Sequence, residues 1–163
     1  MTLIIGIDPG LKGAIFRCYP ENAMSDGMPV AETKRNGKVK NELDLARLAD
    51  LLYNPAMDAH AFVERVGAMP GQGVSSMFSF GKSYGAILGI LAAFQIPVTF
   101  VEPRVWKSKL KVRGGKVGAL LHASELMPRW SHLWTPKRGE MNKEQAIGRA
   151  DAALIAYYGQ HHG

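Results

Sequence analysis

The stretch Leu3-Ile4-Ile5-Gly6-Ile7-Asp8-Pro9-Gly10 decides how the chain is read. Five of its first six residues are apolar or glycine in a β-type run, and the run stops at a carboxylate followed by a Pro-Gly turn signal. Gly13 to Tyr19 is a second β-type run, with Lys12-Gly13 as a further turn signal, so the chain opens on a hairpin with an acid at the end of its first strand. Met28 to Thr33 reads as a third strand. Asn36-Gly37 marks a tight hairpin, across which Lys38 to Lys40 continues the meander. Leu43, Leu45, Ala46, Leu48, Ala49, Leu51 and Leu52 recur at helical spacing, predicting a helix from Glu42 to Tyr53 that Pro55 stops. Ala59 to Val66 is a fourth strand, apolar apart from Glu64 and Arg65.

A Gly- and Ser-rich segment, Gly67 to Ser76, leads into a helix from Ser75 or Ser76 to Phe94. Between Lys82 and Glu102 there are 19 uncharged residues, near the ~20 that span a bilayer. Pro97 divides that run into a helix ending near Phe94 and a fifth strand, Val98 to Val101, so no membrane partner is expected. Pro103 to Lys109 and Lys116 to Met127 read as helices, Trp130 to Gly139 as a loop, and Lys143 to Tyr158 as the last helix. Strands first, then alternating helices and strands, imply an α/β fold: a mixed sheet with helices on its faces. Residues 1–159 are expected to form one domain, with 160–163 a short tail.

The chain has 163 residues and a net charge of +6, from 20 Lys plus Arg against 14 Asp plus Glu. That balance suits nucleic acid, an anionic surface or an acidic partner without choosing among them. A single cysteine, Cys18, excludes an intrachain disulfide framework and a Cys-rich zinc site. The opening residues carry no basic leader, and the expected location is the cytoplasm of a bacterial or phage-infected host cell.

Three acids sit in apolar settings. Asp8 ends the first strand, Glu64 lies in Phe62-Val63-Glu64-Arg65-Val66, and Asp151 lies in Ala150-Asp151-Ala152-Ala153-Leu154-Ile155-Ala156. A carboxylate in an apolar element is costly to ionise unless a partner or metal neutralises it. Each acid has a plain structural alternative: Asp8 as a turn cap, Glu64 paired with Arg65 or a neighbouring strand, Asp151 paired with Arg149. Taken together they point to a shared hard cation, Mg²⁺ or Mn²⁺ rather than zinc. Ser76 to Ser83 nearly matches a phosphate-binding loop, but Met77, Phe78 and Phe80 would obstruct the cradle, so no nucleotide cofactor is expected. His122, His132, His161 and His162 show no ligand spacing.

The ordered set of Ile5 to Gly10 with Gly13-Ala14, Phe62 to Val66, Val105-Trp106-Lys107 and Arg149 to Ala156 resembles the RuvC-type Holliday-junction resolvases of the ribonuclease H-like superfamily. Met69 to Gly81 is more similar to the phage and chloroplast branch. The resemblance implies a ribonuclease H-like mixed five-stranded sheet flanked by helices. It further implies a crossover-junction endodeoxyribonuclease with two Mg²⁺ per site (Mn²⁺ as an alternative) held by Asp8, Glu64 and Asp151, with Lys107 near the scissile phosphate. The family's fourth acid or histidine, one helical turn before the last acid, is missing: Ile147 and Gly148 stand there. Glu144, two turns before Asp151, is either a substitute ligand or a helix-start acid that complements the dipole.

The resemblance also implies branched DNA as substrate and a homodimer, since paired cuts need two sites. The Ser76 to Phe94 helix is the expected interface, with Tyr84, Ile87, Leu91 or Phe94 needing a partner. Arg104, Lys107, Lys109, Lys111, Arg113 and Lys116 fall within 13 residues, with no acid from Pro103 to Ser124, and suit phosphate contact. Met69, Gln72, Gly73, Ser75, Ser76 and Lys82 are the expected junction-contacting residues of the glycine-rich segment and helix start. Lys34, Arg35, Lys38 and Lys40 form a second, weaker patch. Two readings compete: a ribonuclease H-like nuclease acting on other branched DNA or an RNA–DNA hybrid, and a junction-binding protein without activity. An actin-like ATPase needs a longer chain than this one.

Overall fold

The computed structural model describes residues 1–54 and 58–163; the expected helix stop at Pro55 lies outside the described residues. Strand β1 (Leu3–Asp8) pairs antiparallel with β2 (Ala14–Cys18), which pairs antiparallel with β3 (Ala23–Gly27). On its other side β1 runs parallel to β6 (Ala59–Glu64), which is parallel to β7 (Val98–Val101). The sheet order is therefore β3-β2-β1-β6-β7, a mixed five-stranded sheet. Strands β4 (Val30–Arg35) and β5 (Lys38–Leu43) form a separate two-stranded hairpin.

The strand expected at Met28 to Thr33 is thus not the third strand of the main sheet. That place belongs to Ala23–Gly27, and Met28 is a buried connector whose amide donates to the Gly13 carbonyl at 2.9 Å. Asn36 and Gly37 both take positive φ, 52° and 72°, as the expected tight turn requires. Glu42 and Leu43 belong to β5, and helix α1 (Leu45–Leu52) begins after Asp44, whose carboxylate accepts the Arg47 amide at 3.1 Å.

Side-chain alternation along the strands gives the sheet two apolar faces. Leu3, Ile5, Ile7, Ile15, Ala61 and Val63 meet Leu48 and Leu52 of α1 and Ile87 and Leu91 of α2 (Val74–Ala93). Helix α2 ends before Pro97, as expected, and among the described residues no helix is long and apolar enough to cross a membrane. Ala14, Phe16 and Phe62 face the other way, onto α5 (Lys143–His162), with Trp106 of α3 (Pro103–Lys109) and Ala119 and Ala123 of α4 (Gly115–Leu126). Between α4 and α5 a 3₁₀ turn (Pro128–Trp134) replaces the start of the expected loop. It buries Trp134 against Phe16, ring centroids 6.1 Å apart.

Helix α5 starts at a capping box, Asn142 and Gln145 bonding each other's amides at 2.9 Å. It runs through His162, so residues 160–162 are helical where a tail was expected. It lies so close to the sheet that three glycines are obligatory. A β-carbon at Gly6 would come within 2.7 Å of the Ala156 nitrogen, one at Gly148 within 2.5 Å of the Lys12 carbonyl oxygen, and one at Gly159 would overlap the Phe62 ring.

Candidate active site

Asp8 and Glu64 end neighbouring parallel strands, one step beyond the Ile7–Val63 pair in the same register. Each lies two residues past a position that packs against α5, Gly6 and Phe62 respectively, so both carboxylates project on the α5 side. Asp151 meets them from α5, one residue before Ala152, which touches Gly6. Three elements remote in sequence thus bring together the three acids singled out from the sequence. Gly13 abuts Asp8 from the β1–β2 turn.

The electrostatics confirm the convergence. Burial, then Asp151, then Glu64 push the Asp8 carboxyl up to about 7. Asp151 is raised to about 6, by burial and by Glu64, against the opposing pull of Lys107 and Lys116. Burial raises Glu64, and a hydrogen bond from Trp106 and the charge of Lys107 oppose it. The Trp106 indole N–H donates to Glu64 Oε1 at 3.2 Å while its ring is fully buried. Lys107 therefore favours the ionised form of all three acids, and its exposed ammonium lies 5.2 Å from the Trp106 ring centroid.

Neither Glu64 nor Asp151 pairs with the arginine near it in sequence. Arg65 pairs with Glu102 at 2.7 Å, and Arg149 donates to the Ser25 carbonyl oxygen at 2.6 Å. Asp8 does keep a turn contact, the Gly10 amide favouring its ionised form. Glu144 is exposed and paired with Lys12 at 3.1 Å. Position 148 cannot supply a fourth acid, because any side chain there would collide with the Lys12 carbonyl.

The donor set, three desolvated carboxylates offering only oxygen, fits a hard divalent cation. The three acids face one another at electrostatic range without ligating contact: among the described residues no group of three His, Cys, Asp or Glu side chains is placed to hold a metal ion.

The basic segment flanks this site. Lys107 and Lys109 lie on α3, Lys116 in the first turn of α4, and Lys111 and Arg113 in the turn between them, where Lys111, Gly114 and Gly115 take positive φ. With Arg104, all six cations are exposed and in no ion pair among the described residues.

In the glycine-rich segment Met69, Gln72, Gly73, Ser75 and Ser76 are exposed. Gln72 closes a local turn with the Met69 backbone, and Lys82 lies 3.8 Å from Glu42. Ser76 to Ser83 is continuous helix, which excludes a phosphate-binding loop there. Ile87 and Leu91, expected to need a partner chain, are buried in this chain's own core with Tyr84 and Phe94 against them. The exposed side of α2 is instead Val74, Phe78, Gly81, Gly85 and Gly89.

No protein-family model and no curated protein sequence matches the chain. Solved structures do match. Thermus thermophilus RuvC in complex with a Holliday junction substrate superposes with a TM-score of 0.60 at 16% identity, covering 99% of this chain and 97% of that one. This chain has the RuvC fold. A second Thermus thermophilus RuvC structure agrees, with a TM-score of 0.53 at 18% identity over 97% and 95% of the two chains. The ribonuclease H-like sheet expected from the sequence is thereby confirmed. RuvC similarity over nearly the whole length also places β1, β6 and α5, the three elements bearing the acids, within the shared architecture.

Proposed function

We propose that the chain is a divalent-metal-dependent endonuclease that resolves four-way DNA junctions by paired, symmetric phosphodiester hydrolysis. The observation that carries this reading is the meeting of Asp8, Glu64 and Asp151 at one end of a RuvC-fold sheet, beside an exposed cationic segment. Asp8, Glu64 and Asp151 would hold two Mg²⁺ ions, or Mn²⁺ in their place. Such ions supply an activated water and charge stabilisation on the leaving oxygen.

The chain's own residues do the rest. Asp8 must be ionised to act, and Lys107 favours that state. The Trp106 indole N–H orients the Glu64 carboxylate. Lys107 would contact the scissile phosphate and stabilise charge developing on it. Arg104, Lys109, Lys111, Arg113 and Lys116 would follow the backbone of one arm. Met69, Gln72, Gly73, Ser75 and Ser76 would lie against the crossover.

A homodimer would supply the second cut. The exposed α2 side of Val74, Phe78, Gly81, Gly85 and Gly89 suits it, the glycines allowing two helices to approach closely. The expected setting is the inside of a bacterial or phage-infected cell.

One observation favours a second reading, a junction-binding protein without activity: glycine at 148, one turn before Asp151, where the resembled family carries a fourth acid or histidine. The test is incubation with labelled four-way junction, duplex, flap and RNA–DNA hybrid in Mg²⁺, Mn²⁺ or EDTA. Paired, religatable cuts confined to the junction support resolution. Binding without cutting in either metal supports the second reading, and cutting of flap or hybrid reassigns the substrate.

A further inference from the structure

The β4–β5 hairpin is not part of the main sheet, and the catalytic reading leaves it without a role. It springs from the end of the sheet that carries Asp8: Met28 is bonded to Gly13, and the Asp44 amide donates to the Pro29 carbonyl at 2.9 Å. Its register sorts its charges. Arg35 stands opposite Lys38, Thr33 opposite Lys40 and Ala31 opposite Glu42, so Arg35, Lys38, Lys40 and Glu42 share one face. Like charges directly opposed across a ladder cost stability. Arg35 and Lys38 are opposed in this way at the tip, and neither they nor Lys40 has an ion-pair partner among the described residues.

Glu42 shows where this face looks, because it reaches Lys82 on α2. Nearer the tip, Lys40 lines a groove of about 490 Å³ whose other walls are Pro9 to Lys12, directly after Asp8, and Ser75, Ser76 and Ser79 of α2. The groove thus runs from the catalytic end of the sheet between hairpin and helix. The hairpin side offers Lys40 and the helix side the serine hydroxyls, with Leu11 and Phe80 between them. Lys12 at its inner end is engaged by Glu144, which leaves Lys40 as its unpaired cation among the described residues.

We propose that the face of the hairpin bearing Arg35, Lys38 and Lys40 grips the phosphodiester backbone of a DNA arm, across the groove from the serines of α2 and apart from the Arg104–Lys116 segment. A polyanion in this position removes the Arg35–Lys38 repulsion and satisfies the unpaired ammonium of Lys40. The inference rests on the DNA-cleaving reading for the identity of the strand and adds to it a second, independent grip.

The test compares wild type with Arg35→Gln/Lys38→Gln/Lys40→Gln, and with Arg129→Gln, whose side chain pairs with Glu21 at the other end of the sheet. Binding of labelled four-way junction and of duplex with the same arm sequence is titrated against salt in EDTA, and circular dichroism verifies the fold. Three lost phosphate contacts flatten the plot of log affinity against log salt by about 2.7 and weaken binding more than about tenfold at moderate salt. Arg129→Gln is expected to match wild type.

A triple variant with wild-type slope and affinity overturns the hairpin grip while leaving the resolvase reading intact, provided wild type prefers the junction. A flattened slope with equal affinity of wild type for junction and duplex keeps the grip and removes the junction reading. Wild type that binds neither DNA overturns both. Should the triple variant misfold, Lys40→Gln alone, with an expected flattening of about 0.9, decides in its place.

Discussion

Gly13 is pressed against Asp8: a β-carbon at position 13 would overlap the Asp8 carbonyl oxygen and lie 2.8 Å from its carboxyl carbon. The β1–β2 turn can therefore close only over glycine. Gly13→Ala is expected to push the Asp8 carboxylate out of place. Single-turnover junction cleavage should fall by about tenfold to a hundredfold, equivalent to about 1.4–2.7 kcal/mol. Thermal melting and circular dichroism should show a folded protein. Unchanged cleavage would mean that the placement of Asp8 does not matter to the reaction.

The raised carboxyls make a stability prediction with a definite sign. Asp8 rises from 3.8 to about 7 in the folded chain and Asp151 from 3.8 to about 6, so the metal-free fold binds more protons than the unfolded chain between these values. Their contribution is most favourable below pH ~4 and is lost as pH rises through 6 and 7. Asp8→Asn should accordingly stabilise the metal-free protein at pH 8 by up to a few kcal/mol, a gain that vanishes towards pH 4. Melting temperatures of the two proteins in EDTA across that range check this. In Mg²⁺ the same variant should lose about a thousandfold or more in cleavage, or ~4 kcal/mol. Wild-type cleavage at subsaturating Mg²⁺ should climb from pH 6 to pH 7.

How far the sequence could be read is instructive at this site. The acids were legible because charge in an apolar run is expensive wherever the run ends up, and Asp8, Glu64 and Asp151 each interrupt one. The support of Glu64 was not legible. Trp106 stands 42 residues away, and only the packing of α3 brings its indole into reach. Among the strands, Ala23–Gly27 escaped notice because Ala23 and Ser25 face inward with no Val or Ile between them. Register with β2, the Arg149 bond to the Ser25 carbonyl and the Arg17–Asp26 pair at 2.6 Å hold it, and all of these are tertiary. Ile87 and Leu91 showed the reverse problem: a long apolar helix does not say which of its sides its own sheet will cover.

Trp106→Phe should separate orientation from packing. It keeps most of the buried volume but removes the N–H donated to Glu64, and that bond holds the Glu64 carboxyl down. Half-saturating Mg²⁺ for cleavage should rise several-fold, with the rate at saturation little changed. The melting temperature should drop by an amount matching the ~1.5–3 kcal/mol of a hydrogen bond to a charged group. Equal Mg²⁺ dependence in the two proteins would remove Trp106 from the site.

Two substitutions on α5 test whether a fourth acid matters. Glu144→Ala should leave cleavage within about twofold and stability within ~1 kcal/mol, because it loses only the exposed Lys12–Glu144 pair and a favourable charge in the first turn of α5. Gly148→Asp, which inserts an acid one turn before Asp151, should lower the melting temperature and not raise cleavage, since its β-carbon would meet the Lys12 carbonyl at 2.5 Å. A large loss from Glu144→Ala, or a gain from Gly148→Asp, would assign a ligand this geometry does not provide.

The close seating of α5 at Gly6, Gly148 and Gly159 also governs which changes in length the protein can absorb. One residue added between positions 148 and 159 turns everything after it by about 100° and advances it 1.5 Å. That would carry Asp151 away from Asp8, or tear Gly159 off Phe62, depending on which side of the insertion keeps its place. A β-carbon at Gly37 would meet nothing, so residues added in pairs at the Asn36-Gly37 tip lengthen the hairpin without moving a charge to its other face. Helix α5 therefore acts as a fixed ruler across the sheet, and the chain's room to grow or shrink lies in its loops, the hairpin tip first among them.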